Sequence, residues 1–205
     1  MSVKIDVFSD YVCPYCLLIE GVLAEATQGL NVDIQWQPFE LRAAPTPTLR
    51  PEDDYLPQVW KKSVYPLAQR LGVPIQLPSI SPQPYSRWAH EGFQVAEANG
   101  KADAYKDRMF RAFFQEDQDI GSLSVLGALA DEVGLDKSQF LVALGDGKYT
   151  DRHEALLERA KKLGVQSVPS LYMDGQLIQV AFDPQVLRRY LLEKYEDASI
   201  TQANV

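Results

Sequence analysis

Residues 9–16 read Ser9-Asp10-Tyr11-Val12-Cys13-Pro14-Tyr15-Cys16 and hold both cysteines of the chain. Before them, Val3-Lys4-Ile5-Asp6-Val7-Phe8 alternates with period two and is rich in β-branched side chains, which predicts a strand ending near Ser9. After them, Leu17, Leu18, Val22 and Leu23 recur at helical spacing, and Gly29 stands where a helix C-terminal cap is expected. Val32-Asp33-Ile34-Gln35-Trp36 alternates again, and Pro38 closes this second strand. A helix between two such strands is a βαβ unit, so the strands should be parallel and the crossover right-handed.

That frame puts Cys13 at the N-cap of the helix and Pro14 at its first position. The free N–H groups of the first turn and the positive end of the helix dipole favour a thiolate there. Cys13 is therefore expected to be an exposed, acidic nucleophile. Cys16, one turn on, is expected to be shielded and to resolve a mixed disulfide by attacking Cys13. Pro14 and Tyr15 bring no cation, so the thiolate would rest on backbone donors and the dipole alone. A metal half-site is the competing reading of this spacing, but tetrahedral zinc needs four ligands and there is no second cysteine pair. His90 and His153 lie far apart in sequence and read as ordinary surface or helix-packing residues, so no metal is expected.

From Glu40 to Pro51 the chain is proline-rich and reads as an exit loop. Helical patterns follow over about Tyr55 to Leu71, Pro84 to Asn99, Ala102 to Phe114, Ser122 to Val133, Lys137 to Leu144 and Asp151 to Leu163. Pro57 and Pro66 would kink or end the first of these. Trp88, Phe93, Tyr105, Phe110, Phe113 and Phe114 supply a candidate core for the block.

Strand patterning returns at Val168-Pro169-Ser170-Leu171-Tyr172-Met173 and at Gln176 to Val180, around Asp174-Gly175, a dipeptide suited to a tight hairpin. A last helix is expected from Pro184 to about Tyr195, with residues 196–205 as a fraying tail. Pro169 is out of place in a central strand unless its bond is cis or the position must not donate, or else it opens an edge strand. The class is therefore α/β, in the order βαβ, helical block, ββα. Residues 1–39 and 164–205 would form one unit, and 40–163 an insertion packed over the cysteines.

Composition narrows the partners. The 205 residues are 46% hydrophobic and 23% charged, as in globular proteins, and the net charge of −8 disfavours a phosphate-binding surface. Nucleic acid is thus not an expected partner. The start of the chain lacks the pattern of an export signal, and apolar runs such as Leu123 to Ala130 are too short for a membrane, so a cytoplasmic, reducing setting is expected. The acidic runs Glu52-Asp53-Asp54 and Glu116-Asp117-Gln118-Asp119 are expected to be solvated surface.

Taken together, Ser9 to Cys16, Met109-Phe110-Arg111-Ala112-Phe113-Phe114 with Asp119-Ile120-Gly121, and Gly164-Val165-Gln166-Ser167-Val168-Pro169 resemble the DsbA-like oxidoreductases of the thioredoxin fold, and within them the FrnE-like intracellular branch. The resemblance spans nearly the whole chain. It implies that Cys13 attacks, Cys16 resolves, and Val168 with a cis Pro169 lies against the disulfide and the substrate, with Pro14 and Tyr15 in support. Ser167 and Ala181-Phe182-Asp183 depart from it, since glycine is usual at both places. It implies thiol-disulfide exchange on protein substrates with no cofactor beyond the cysteine pair, glutathione being a possible reductant. Two alternatives stay open: a glutathione-dependent isomerase or transferase like 2-hydroxychromene-2-carboxylate isomerase and the kappa class, where serine usually stands in place of Cys13, and a non-catalytic peptide-binding module.

Overall fold

The computed structural model describes residues 3–178 and 180–203, and of residues 194–203 the backbone alone. The elements run β1 (Val3–Ser9), α1 (Pro14–Thr27), β2 (Val32–Pro38), α2 (Tyr55–Val59), a π-helical stretch (Trp60–Val64), α3 (Tyr65–Leu71), α4 (Arg87–Ala98), α5 (Ala102–Gln115), α6 (Leu123–Glu132), α7 (Lys137–Gly145), α8 (Thr150–Lys162), β3 (Ser170–Met173), β4 (Gln176–Ile178) and α9 (Pro184–Ala203). This is the expected order, a thioredoxin fold with a helical insertion.

The sheet order is β2-β1-β3-β4. β1 pairs with β2 in parallel, Val3 opposite Val32 through Ser9 opposite Pro38, and with β3 antiparallel, Phe8 opposite Ser170. The chain's two ends therefore meet at β1, which explains why its last five residues are all buried. Its side chains alternate between two cores. Ile5 and Val7 pack with Ile19, Val22 and Leu23 of α1 and with Leu187 and Leu191 of α9. Phe8 joins the other core, which continues through Tyr105, Phe110, Phe113 and Phe114 and also contains Cys13 and Cys16.

Several expectations need correction. The run from Tyr55 to Leu71 neither breaks nor stays α-helical: the π-helical stretch lies between its two prolines, where the Tyr65 N–H reaches back five residues to the Trp60 carbonyl. Proline lacks an N–H and crowds the carbonyl four residues back, and a widened turn relieves that crowding. β3 begins at Ser170, leaving Val168 and Pro169 outside the ladder. The expected tail is helical as far as Ala203. Gln179 of the expected second hairpin strand lies outside the described residues, as do Met1, Ser2, Asn204 and Val205. The hairpin turn is as expected, with φ of 49° at Asp174 and 81° at Gly175. Of the six aromatics assigned to the block's core, Trp88 is instead 41% exposed.

Both acidic runs lie at the surface as expected, with Glu52, Asp53, Asp54, Glu116 and Asp117 exposed, and Glu116 in addition pairs with the buried Arg108, at 2.7 Å, and with Arg111, at 3.0 Å. A guanidinium removed from water needs such partners, and Glu132 supplies the second, also at 2.7 Å.

Candidate active site

Cys13 caps α1 with extended backbone angles, φ −96° and ψ 112°, and Pro14 follows at the start of the helix. Its N–H donates to the Asp10 carbonyl, and its own carbonyl accepts from the Cys16 N–H, both at 3.0 Å. The Cys13 thiol lies 3.5 Å from the Val168 carbonyl, to which it donates. The Val168–Pro169 bond is cis. The thiol–carbonyl contact joins chain segments 155 residues apart. Both cysteines are free thiols.

Cys13 is 4% exposed, not open as its cap position suggests. The Val168 carbonyl lies against the thiol, and the core built on Leu56, Trp60 and Phe110 extends to the start of α1. Cys16 is wholly buried. Burial and the neighbouring Cys13 sulfur push its pKa well above the usual thiol range, while the Ser9 hydroxyl and the Asp10 N–H act in the opposite direction. The Asp10 N–H lies 3.5 Å from the Cys16 sulfur.

Tyr15 is tied to both sides of the fold. Its hydroxyl is 2.6 Å from the Ser63 hydroxyl in the π-helical stretch, and its ring lies 5.9 Å from that of Phe182. Asp10 anchors the loop before Cys13: its carboxylate accepts from the Leu41 N–H at 2.7 Å and from the Val12 N–H at 3.4 Å. A cleft of about 420 Å³ lies beside this loop, lined by Asp10, Val12, Leu41, Leu49, Tyr55 and Leu56 among others.

Of the two roles expected for the histidines, surface or helix packing, the structure shows helix packing. Their helices pack together, so His90 on α4 and His153 on α8 stack with ring centroids 5.8 Å apart, and both are buried. His153 Nε2 is 2.6 Å from a Glu40 carboxylate oxygen, and His90 Nε2 faces the Asp10 carboxylate at 3.6 Å, too far for a hydrogen bond. Among the described residues no three His, Cys, Asp or Glu side chains are arranged to hold a metal ion.

The cysteines, the dipeptide between them, and Val168 with Pro169 were legible in the sequence. Ser9 and Asp10 stand in the same motif but carried no assigned role. Phe182 had a signal, since it falls where the expected pattern fails. Ser63 and His90 had none, because tertiary packing alone brings them to the site.

The chain belongs to the DSBA-like thioredoxin domain family, whose model matches residues 4–192. It is 40% identical over 196 residues to the uncharacterised protein YwbO of Bacillus subtilis strain 168, covering 95% of this chain and 98% of that one. It is 24% identical over 184 residues to 2-hydroxychromene-2-carboxylate isomerase of Pseudomonas putida, covering 84% and 86%. A probable DsbA oxidoreductase from Streptomyces coelicolor has the same fold at a TM-score of 0.77 and 19% identity, covering 95% and 90%. So has the cytosolic disulfide reductase DsbM from Pseudomonas aeruginosa, solved with glutathione, at a TM-score of 0.72 and 18% identity, covering 95% and 100%. Among the described residues no helix is long and apolar enough to cross a membrane.

Proposed function

We propose that this protein is a thiol-disulfide oxidoreductase acting on protein disulfides through Cys13 and Cys16, of the FrnE-like branch and cytoplasmic. The observation that carries this reading is the Cys13 sulfur at a helix N-cap, against the Val168 carbonyl, with a second free thiol one turn behind it. Cys13 attacks a substrate disulfide, and Cys16 then attacks Cys13 and releases the substrate thiol. Val168 and Pro169 offer backbone to an extended substrate, Pro14 sets the helix start, and Tyr15 braces the turn. Glutathione is a fitting reductant, since DsbM was solved with it.

Reduction of insulin by dithiothreitol tests the proposal. Catalysis by the wild type and its loss in Cys13→Ser are expected, and unchanged turnover in Cys13→Ser would refute it.

A second reading, glutathione-dependent isomerisation, is favoured by the similarity to the Pseudomonas putida enzyme. It predicts isomerase activity with 2-hydroxychromene-2-carboxylate and glutathione that persists in Cys16→Ser, because isomerisation needs no resolving thiol.

A further inference from the structure

Trp88 of α4 and Tyr85 just before it keep large apolar faces exposed, where Phe93 of α4 and the aromatic residues of α5 are buried. Both line a cavity of about 490 Å³, whose walls come from the exit loop after β2, the first turn of α4, the loop from α5 to α6, and α8. Thr48, Gln83 and Pro84 line this cavity and also the cleft beside the redox loop. The shared wall is fastened on both sides. The Gln83 N–H donates to the Leu49 carbonyl at 2.8 Å, and the Tyr85 hydroxyl donates to the Thr46 carbonyl at 3.1 Å. The two hollows therefore adjoin, and together they run from Asp10 and Val12, in the loop before Cys13, to Trp88.

Charge gives the larger cavity its character. Glu40 and Asp119 line it. The Glu40 side chain is 5% exposed and meets His153 Nε2, and an Asp119 oxygen accepts from the Gly121 N–H at 2.9 Å. Among the described residues neither carboxylate has a lysine or arginine within ion-pair distance. Arg87 lines the cavity too, but its guanidinium is already held by Glu91, at 3.0 Å, and by Glu154, at 2.8 Å. Four carboxylates thus stand against one guanidinium, beside His153. An anion entering here would meet carboxylates and no free guanidinium. A cation would meet a negative field and two aromatic faces, in a chain whose net charge is −8.

We propose that this cavity binds a basic side chain, arginine in preference to lysine, of a protein substrate whose disulfide lies at Cys13. The link to Cys13 rests on the redox reading above; the preference for a cation does not. A planar guanidinium stacks on an indole face and still donates to carboxylates at its edge, whereas an ammonium is a hydrated point charge. The backbone between cysteine and arginine lies over Thr48, Gln83 and Pro84. Such a subsite sorts protein substrates by the charge near their cysteine, and it gives nothing to glutathione, whose net charge is negative.

Two measurements test the site and its link separately. In the first, nitrogen-15 labelled protein is titrated with Nα-acetyl-arginine amide, Nα-acetyl-norleucine amide and Nα-acetyl-glutamate amide. The Trp88 indole signal should shift saturably with the arginine probe alone, and Asp119→Asn, which keeps the oxygen that accepts from Gly121, should weaken that binding roughly threefold. In the second, the reduced protein acts in single turnover on short peptides, each with one cysteine in a disulfide with 2-mercaptoethanol. An arginine is scanned through the positions on either side of the cysteine, with norleucine in its place as reference. At the best position arginine should raise the rate constant about three- to tenfold. That ratio should fall toward one in Trp88→Ala, and because it is taken within each variant, any general effect on folding or reactivity cancels. Binding of arginine no tighter than norleucine, or an equal shift with the glutamate probe, overturns the cation site. A ratio near one at every position, or one that Trp88→Ala leaves intact, overturns its role in substrate choice. A wild type that reduces no peptide, while the arginine probe still shifts Trp88, would overturn the redox reading and leave the cation site standing.

Discussion

Cys13 and Cys16 are three residues apart, yet the fold treats them differently. Cys13 caps the start of α1 with no first-turn N–H donating to its sulfur, while Cys16 is enclosed and its pKa is pushed up. That division was legible from Pro14 and the strand-to-helix frame. The burial of Cys13 was not, because what lies over it comes from residues far along the chain. Glu20 carries a prediction at the same scale. Burial raises its folded pKa from the ordinary 4.5 to about 7, so its stabilising contribution is complete below pH 4.5 and is lost as the pH rises through 7. The stability of the wild type relative to Glu20→Gln should therefore fall between about pH 5 and pH 8, by roughly 2–3 kcal/mol. Urea unfolding at the two pH values measures it, and a difference that stays constant or rises would contradict the burial argument.

Among the elements, periodicity and caps were the reliable signals. Pro14 and Gly29 bracketed α1, and Asp174-Gly175 marked the hairpin. What escaped were the π-helical stretch between Pro57 and Pro66, a widened turn where an end or a kink was expected, and the helix continuing to Ala203. Helix α4 gives the sharpest packing test. A Cβ added at Gly92 would stand 2.2 Å from the Tyr105 hydroxyl and 2.7 Å from the Phe140 ring, and both rings are buried. Alanine normally stabilises a helix relative to glycine, by up to ~1 kcal/mol, but overpacking costs about 1–3 kcal/mol. Gly92→Ala should therefore lower the melting temperature by several degrees in calorimetry. A higher melting temperature would mean that α4 and α5 separate easily.

On the scale of the molecule, one core runs from Phe8 and the cysteines through the aromatic residues of α5 to Phe140 of α7. The order βαβ, helices, ββα was legible because each segment keeps its own period. The register in which β3 joins β1 and the stacking of His90 on His153 were not, since nothing local encodes them. We place the insertion at residues 40–163 and expect it to unfold together with the rest. Far-ultraviolet and near-ultraviolet dichroism should give coincident thermal transitions, and a stable folded fragment of 40–163 released by limited proteolysis would contradict a shared core. The central claim is that the two ends of the chain assemble a redox centre in which Cys13 attacks and Cys16 resolves. Mass spectrometry after incubating each cysteine variant, reduced, with glutathione disulfide tests it most directly. The account predicts a persistent glutathione adduct on Cys13 in Cys16→Ser and none on Cys16 in Cys13→Ser. A fast adduct on Cys16, or no adduct on Cys13, would contradict it.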